Sequence, residues 1–62
     1  MKFEEAWQAL RQGKKIARKS WKIHNFISLE NEIAYEYVYE FKEKIGMIHI
    51  QNLLAEDWEI IE

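Results

Sequence analysis

Residues 3–13 read FEEAWQALRQG, and this stretch decides how the fold begins. Its apolar residues recur at the spacing i, i+3, i+4 and i+7, which places them on one stripe of an α-helix: Phe3, Ala6, Trp7 and Leu10. Glu4 and Glu5 suit the positive end of a helix dipole, and Gly13 is a common stop signal because glycine readily takes the left-handed conformation. We therefore predict an amphipathic N-terminal helix that is closed by Gly13.

The chain after this helix reads as a series of short strands. Residues 15–18 and 24–29 favour the first two strands, and the polar residues 30–32 are typical of a turn. Residues 33–41 alternate strictly, which predicts one long strand with five large side chains on a single face: Ile33, Tyr35, Tyr37, Tyr39 and Phe41. The simplest interpretation packs this face on the helix stripe. Three tyrosine hydroxyl groups each need a hydrogen-bond partner, so a face that is half core and half subunit interface fits better.

The last third of the chain predicts a turn, two short strands and a helical turn between the strands. The turn is assigned to residues 42–44, a strand to 47–50, a helical turn capped by Asn52 to 52–55, and the last strand to 58–61. The predicted fold class is therefore α+β, in a single domain of residues 1–62. It has an N-terminal amphipathic helix, a small and mostly antiparallel β-sheet, and a short helical turn before the last strand.

The composition argues against several classes of protein. The chain has 62 residues and no cysteine, and its two histidines, His24 and His49, are too few for a structural zinc site. No apolar run approaches the roughly 18 residues of a membrane span, and the acidic start lacks the apolar stretch of a signal peptide. We expect a cytoplasmic protein with no metal or other cofactor and no membrane partner.

The charges are unevenly distributed along the chain. Residues 1–22 carry seven lysines and arginines against two glutamates, a formal balance of +5. Residues 23–62 carry two lysines against nine acidic residues, a balance of −7. A nucleic-acid partner is not expected, because proteins that bind nucleic acids usually present an extended basic surface. A local anion site within residues 11–22 is compatible with this distribution.

One segment stands out as a candidate binding site. Residues 18–22 place cations and a hydroxyl group around an indole ring: Arg18, Lys19, Ser20, Trp21 and Lys22. Guanidinium and ammonium groups bind phosphate, and an aromatic ring stacks on a nucleobase. The alternative interpretation of the same residues is a buried Trp21 with a solvated basic rim.

The sequence offers little support for catalysis. The available nucleophiles and bases lie in no recognisable catalytic motif: Ser20 and Ser28 with His24 and His49. The carboxylates are scattered and the two glycines are isolated, so neither an acid/base pair nor a phosphate-binding glycine loop can be assigned. We expect a binding protein and not an enzyme.

Two blocks of the sequence resemble a known family. Residues 3–10, followed by GKKIARKSW at 13–21, look like the helix, the "GKKV" turn and the Arg-x-x-Trp start of the Thoeris anti-defence two-like proteins. Residues 52–61, NLLAEDWEII, look like the closing "DLLAEDWEIV" of the same family. The blocks lie in the expected order, and four family positions carry over to this chain: Arg18, Ser20, Trp21 and Trp58.

This resemblance implies a phage- or prophage-encoded α+β protein that forms dimers or tetramers and sequesters an immune signal without chemistry. The signal would be a cyclic nucleotide, either of the cyclic ADP-ribose type or a cyclic dinucleotide. Trp21 would stack on a base, and Arg18 with Lys19 or Lys22 would hold phosphate. Trp58, from the same or a neighbouring subunit, would close the site.

Two alternatives to this function are open. Members of the family usually have a longer middle with prolines and tryptophans, whereas residues 42–51 here are short and proline-free. Relatives are also described as anti-CRISPR proteins. The short middle and the acidic balance of residues 23–62 are the grounds for the first alternative, an inhibitor that binds a host defence protein such as a CRISPR nuclease. The other alternative is a structural subunit that only assembles with itself.

Self-association is expected in any of these cases. A 62-residue chain buries only about 60% of the surface that its unfolded form exposes, and this one has no disulfide to compensate. Its three tryptophans and its aromatic strand exceed what one helix and one small sheet can cover. We therefore expect a homo-oligomer, at least a dimer, with two-fold pairing as the default symmetry.

Overall fold

The protein folds as the predicted α+β class. The structure, a computed structural model, describes residues 1–22 and 25–61, so the predicted start of the second strand at His24 lies outside the described residues. The elements are α1 (Phe3–Arg11), β1 (Ile16–Arg18), β2 (Asn25–Glu30), β3 (Ile33–Val38), β4 (Phe41–Lys44), α2 (Ile50–Leu54) and β5 (Trp58–Ile60). The five strands form one antiparallel sheet in the order β4-β3-β2-β1-β5.

The N-terminal helix forms where its apolar stripe predicts. Its buried side chains are Ala6, Ala9 and Leu10, whereas Trp7 stays partly exposed. The carboxylate of Glu5 accepts a hydrogen bond of 3.1 Å from the backbone N–H of Lys2, which satisfies a donor at the start of the helix.

The helix ends at Arg11, and the predicted stop signal, Gly13, lies two residues beyond it. This residue has φ +91°, in the left-handed region. Its N–H donates to the carbonyl of Leu10 at 3.0 Å, and the N–H of Lys14 donates to the carbonyl of Ala9 at 3.1 Å. These two hydrogen bonds form a Schellman motif, which satisfies carbonyl groups at the helix end and turns the chain back toward β1.

We expect Gly13→Ala to lower the free energy of unfolding by about 1 kcal/mol, because a Cβ atom is disfavoured at this positive φ. A Cβ at Gly13 would meet no other atom within 4 Å, so the loss would report the backbone conformation alone. Gly46 is the matched control, since its Cβ would also meet nothing within 4 Å and its φ is not positive. Urea denaturation of both variants checks this; an equal effect of the two substitutions would contradict it.

The core lies between α1 and one face of the sheet. Six buried side chains from the helix and three strands form it: Ala6, Ala9, Leu10, Ile16, Ile27 and Trp58. The last strand reaches the core because β5 pairs antiparallel with β1, which places Trp58 opposite Arg18. This pairing brings the closing block of the sequence beside the segment at 18–22.

The single long strand predicted over residues 33–41 is wrong. A hairpin turn at Tyr39 and Glu40 divides it into β3 and β4, with Tyr39 at φ +58° and Val38 paired with Phe41. The residues predicted to turn, 42–44, belong to β4. Positive φ in a tight hairpin turn normally selects glycine or asparagine, so a tyrosine there carries no turn signal in the sequence.

The interpretation of the tyrosine stripe is also corrected. Ile27 faces the helix and pairs with Glu36, so Tyr35 and Tyr37 on either side of Glu36 point to the opposite face of the sheet. Tyr37 stacks on Phe26 there, with ring centroids 4.7 Å apart. The stripe therefore lies on a face that α1 does not cover.

The segment before the last strand differs from prediction in detail. The strand predicted over residues 47–50 is absent, and Ile50 begins the short helix α2 with His49 as its N-terminal flanking residue. Asn52, predicted as the cap, lies inside this helix. Within residues 1–22 and 25–61, no helix is long and apolar enough to cross a membrane.

Candidate ligand-binding site

The site begins with a buried tryptophan. Trp58 is 1% exposed and packs edge-to-face against Phe3 and Trp21, with ring centroids 5.3 and 5.4 Å apart. Its indole N–H donates to the backbone carbonyl of Asn52 at 2.8 Å. Trp58 was predicted to close the site over a ligand; the structure places it beneath Trp21, where it supports that ring and presents almost no surface of its own.

Trp21 lies on the turn that follows β1, at the edge of the core. Its backbone N–H donates to the carbonyl of Arg18 at 2.9 Å, which closes the turn. The ring is partly buried against Trp58, while the flanking residues Lys19, Ser20 and Lys22 are exposed. A partly buried ring with an exposed basic rim agrees with the alternative interpretation of this segment as well as with a binding site. Part of the indole remains accessible, and the nearby Lys19 and Lys22 are exposed.

Arg18 is tied into the fold by two side-chain contacts. Its Nε atom lies 2.8 Å from Oδ1 of Asp57, and Nη1 donates to Oδ1 of Asn52 at 3.0 Å. The Arg18 side chain is 24% exposed, so the guanidinium group reaches the surface with its plane fixed from two sides. Asp57 offsets part of its charge, which leaves Lys19 and Lys22 as the exposed cations beside Trp21.

Sequence reasoning missed both partners of Arg18. Asp57 precedes Trp58, which is the residue paired with Arg18 across β1 and β5, but this register is not visible in the sequence. The N–H of Lys19 also donates to the backbone carbonyl of Asp57, at 2.9 Å. A polar residue directly before the closing strand was the only available signal, and it does not identify a partner 39 residues away.

The hydrogen bond from Arg18 lowers the pKa of Asp57 below the ordinary value of 3.8, against a smaller opposing effect of desolvation. A carboxylate whose pKa is depressed by folding contributes stability that is complete above its unfolded pKa and is lost as pH falls through the folded value. We therefore expect Asp57→Asn to flatten the fall in stability on acidification, in thermal melts recorded from pH 6 down to pH 2. Parallel curves for both proteins would contradict a role for this pair.

A second ionic cluster lies on the other face of the sheet. Lys42 Nζ is 2.7 Å from Oε1 of Glu30, and Tyr37 donates a short hydrogen bond to the same carboxylate. The hydrogen bond from Lys42 lowers the pKa of Glu30, and the bond to Glu30 raises the pKa of Tyr37. The pKa values of both groups move away from neutral pH, and neither group is part of the Trp21 site.

The geometry therefore brings the predicted residues of 18–22 together on one turn, with Trp58 below it. A partly accessible indole ring, two exposed lysines and a guanidinium group held by two contacts suit a ligand that is both aromatic and anionic.

Comparison with known proteins gives one positive result. No curated protein and no solved structure matches the chain. The family model for the Thoeris anti-defense 2-like domain matches residues 1–61, which includes both blocks that pack together around Trp21 and Trp58. Because that match spans nearly the whole sequence, the chain belongs to the Thoeris anti-defense 2-like family.

Proposed function

We propose that this anti-defence protein binds and sequesters a cyclic nucleotide immune signal, of the cyclic ADP-ribose type or a cyclic dinucleotide, and does no chemistry on it. The observation that carries the proposal is the half-buried Trp21 ring, held edge-on by Trp58 and flanked by Arg18 and two exposed lysines. Family membership supports the anti-defence role. The place of action is then the cytoplasm of the infected bacterium, where such a signal is made.

Each part of the site has a separate task in this proposal. Trp21 stacks on a base, which is worth about 1–3 kcal/mol per base in proteins that bind single strands. Lys19 and Lys22 contact phosphate as mobile cations, and Arg18 adds a guanidinium group in a fixed orientation. Ser20 supplies an exposed hydroxyl group that can donate or accept a hydrogen bond beside them.

Isothermal titration calorimetry with cyclic ADP-ribose isomers and cyclic dinucleotides tests the proposal. We expect at least one compound to bind and to be recovered unchanged after release, whereas linear ADP-ribose serves as the control for shape. Absence of binding to the whole panel at high micromolar protein would remove the proposal. Chemical conversion of a bound compound would show instead that the protein is an enzyme.

We also propose that the protein works as a homo-oligomer. Several large apolar side chains are exposed on the single chain, among them Phe41 at 73%, Met47 at 87% and Leu54 at 73%. Exposed apolar surface of this kind usually marks an interface. A melting temperature that rises with protein concentration, together with a native mass spectrum above 7.6 kDa, is the expected result. A 7.6 kDa species with a melting temperature independent of dilution would contradict it.

A protein-binding inhibitor is the second candidate function. The observation that favours it is an acidic and apolar surface on the β3–β4 hairpin, where Glu36 lies opposite Glu43 and Phe41 is largely exposed. Such a surface matches the basic nucleic-acid channel of a nuclease. Charge reversal at Glu36, Glu40 and Glu43 would abolish anti-defence activity under this candidate. Activity that survives these reversals and is lost with Trp21→Ala would leave the signal-binding function alone.

A further inference from the structure

Asn52 connects the two halves of the candidate site through different atoms. Its side-chain Oδ1 accepts the hydrogen bond from Arg18 Nη1 at 3.0 Å. Its backbone carbonyl accepts the bond from the Trp58 indole at 2.8 Å. One residue of α2 therefore holds both the guanidinium group of β1 and the indole that supports Trp21, although it lies 34 residues from one and 6 from the other.

The short helix α2 also lies against α1. None of its residues is buried, and Ile50 and Leu54 are mostly exposed. Asn52 is less exposed than these neighbours, and it is the residue of α2 that bonds to Arg18 and Trp58. An amide oxygen suits the contact with Arg18 because it accepts a hydrogen bond from the guanidinium group without cancelling its charge. Asp57, the other acceptor, does offset that charge.

We infer that Asn52 is a positioning residue of the ligand site: its side chain fixes the Arg18 guanidinium in the orientation that receives an anionic group of the ligand. This inference rests on the proposed function for its consequence, since the affinity for a cyclic nucleotide is what the orientation sets. Asn52 itself does not contact the ligand. Its effect passes through Arg18, which it holds at Nη1 while Asp57 holds Nε.

The two contacts can be separated by mutation. Asn52→Ala deletes the acceptor for Arg18 but keeps the backbone carbonyl that binds Trp58. Asn52→Asp keeps an acceptor oxygen at the same distance along the side chain but adds a second carboxylate beside Arg18, so it separates the position of the guanidinium group from its charge. Asn52→Leu resembles alanine in lacking the acceptor, and it restores side-chain volume.

The experiment combines calorimetry on the panel of cyclic ADP-ribose isomers and cyclic dinucleotides with NMR of the Arg18 Nη1–H and Trp58 indole N–H signals. We expect Asn52→Ala and Asn52→Leu to weaken binding about tenfold, the effect of losing one charge-assisted hydrogen bond. Asn52→Asp should also weaken binding, because its carboxylate offsets the charge of Arg18 while keeping the guanidinium group in place. The protection of Arg18 Nη1–H from solvent exchange should fall in the alanine and leucine variants only, while the Trp58 indole signal stays unchanged in all three.

Each outcome has a distinct meaning. Unchanged affinity in the alanine variant, or an Arg18 Nη1–H signal that is as well protected in the alanine variant as in the wild type, would overturn the positioning role. A Trp58 signal that shifts together with affinity would assign the effect to disruption of α2 instead. If wild-type protein binds none of the panel, the proposed function fails, and the Arg18 Nη1–H signals still decide whether Asn52 fixes the guanidinium group.

Discussion

Replacing Trp58 with alanine is expected to leave the domain unfolded at room temperature. Trp58 is the largest fully buried side chain of the described residues, and it contacts the helix side chain Phe3 and the turn residue Trp21. Removing a buried tryptophan costs about 3–5 kcal/mol. A core of this size rarely supplies more than roughly 3–5 kcal/mol in total, so little stability would remain.

Far-UV circular dichroism and urea denaturation measure this effect. Trp7→Ala is the matched control, because Trp7 is also an indole on the core side of the molecule but is 37% exposed and lies outside the buried cluster. We expect Trp7→Ala to cost about 1 kcal/mol and to unfold cooperatively. Trp58→Phe should fall between the two, since it keeps an aromatic ring and loses the bond to the Asn52 carbonyl. A cooperative transition for Trp58→Ala close to that of wild type would show that the core does not depend on this residue.

Trp21→Ala is expected to weaken ligand binding at least tenfold while the domain stays folded. The ring lies at the edge of the core, so its removal exposes part of Trp58 but leaves the buried cluster complete. Loss of one stacked base costs about 1–3 kcal/mol, and 1.4 kcal/mol corresponds to a factor of about ten in affinity. Calorimetry with a compound that binds the wild-type protein gives the comparison directly.

Two further variants make this result specific. Trp21→Phe keeps a flat aromatic face and should lose less affinity than the alanine variant. Trp7→Ala removes an indole of α1 that is more exposed than Trp21 and lies away from the basic turn, and it should bind as the wild type does. Equal binding by Trp21→Ala and wild type would exclude stacking on Trp21, whereas equal losses in the Trp7 and Trp21 variants would point to a general effect on the fold.

Local signals in the sequence were sufficient for the helix and for the candidate turn. The i, i+3, i+4 spacing of Phe3 to Leu10 and the glycine at position 13 predict α1 and its end, because both depend on neighbouring residues only. The cations around Trp21 are adjacent in the chain and stay adjacent in the structure for the same reason. The α+β class follows from one helical period succeeded by period-two alternation.

The β3–β4 hairpin shows where such signals fail. Alternation through Tyr39 predicts a continuous strand, yet the chain reverses at that residue with a positive φ. The reversal sends Phe41 to the face of Val38 and separates it from Tyr35 and Tyr37. Pairing of β3 with β2 and of β4 with β3 compensates for the unfavourable conformation of Tyr39. The residue preferences of the turn itself give no sign of this compensation.

The sequence by itself determined the helix, the fold class and the composition of the basic aromatic turn, since each depends on residues within a few positions of one another. Only the tertiary structure decided which residues act together at the site. Pairing of β5 with β1 buries Trp58 beneath Trp21 and brings Asp57 and Asn52 to Arg18 across separations of 39 and 34 residues. Those contacts depend on strand register and on the docking of α2. Both are properties of the packed molecule, because the small core holds residues that are distant in the sequence within hydrogen-bonding distance.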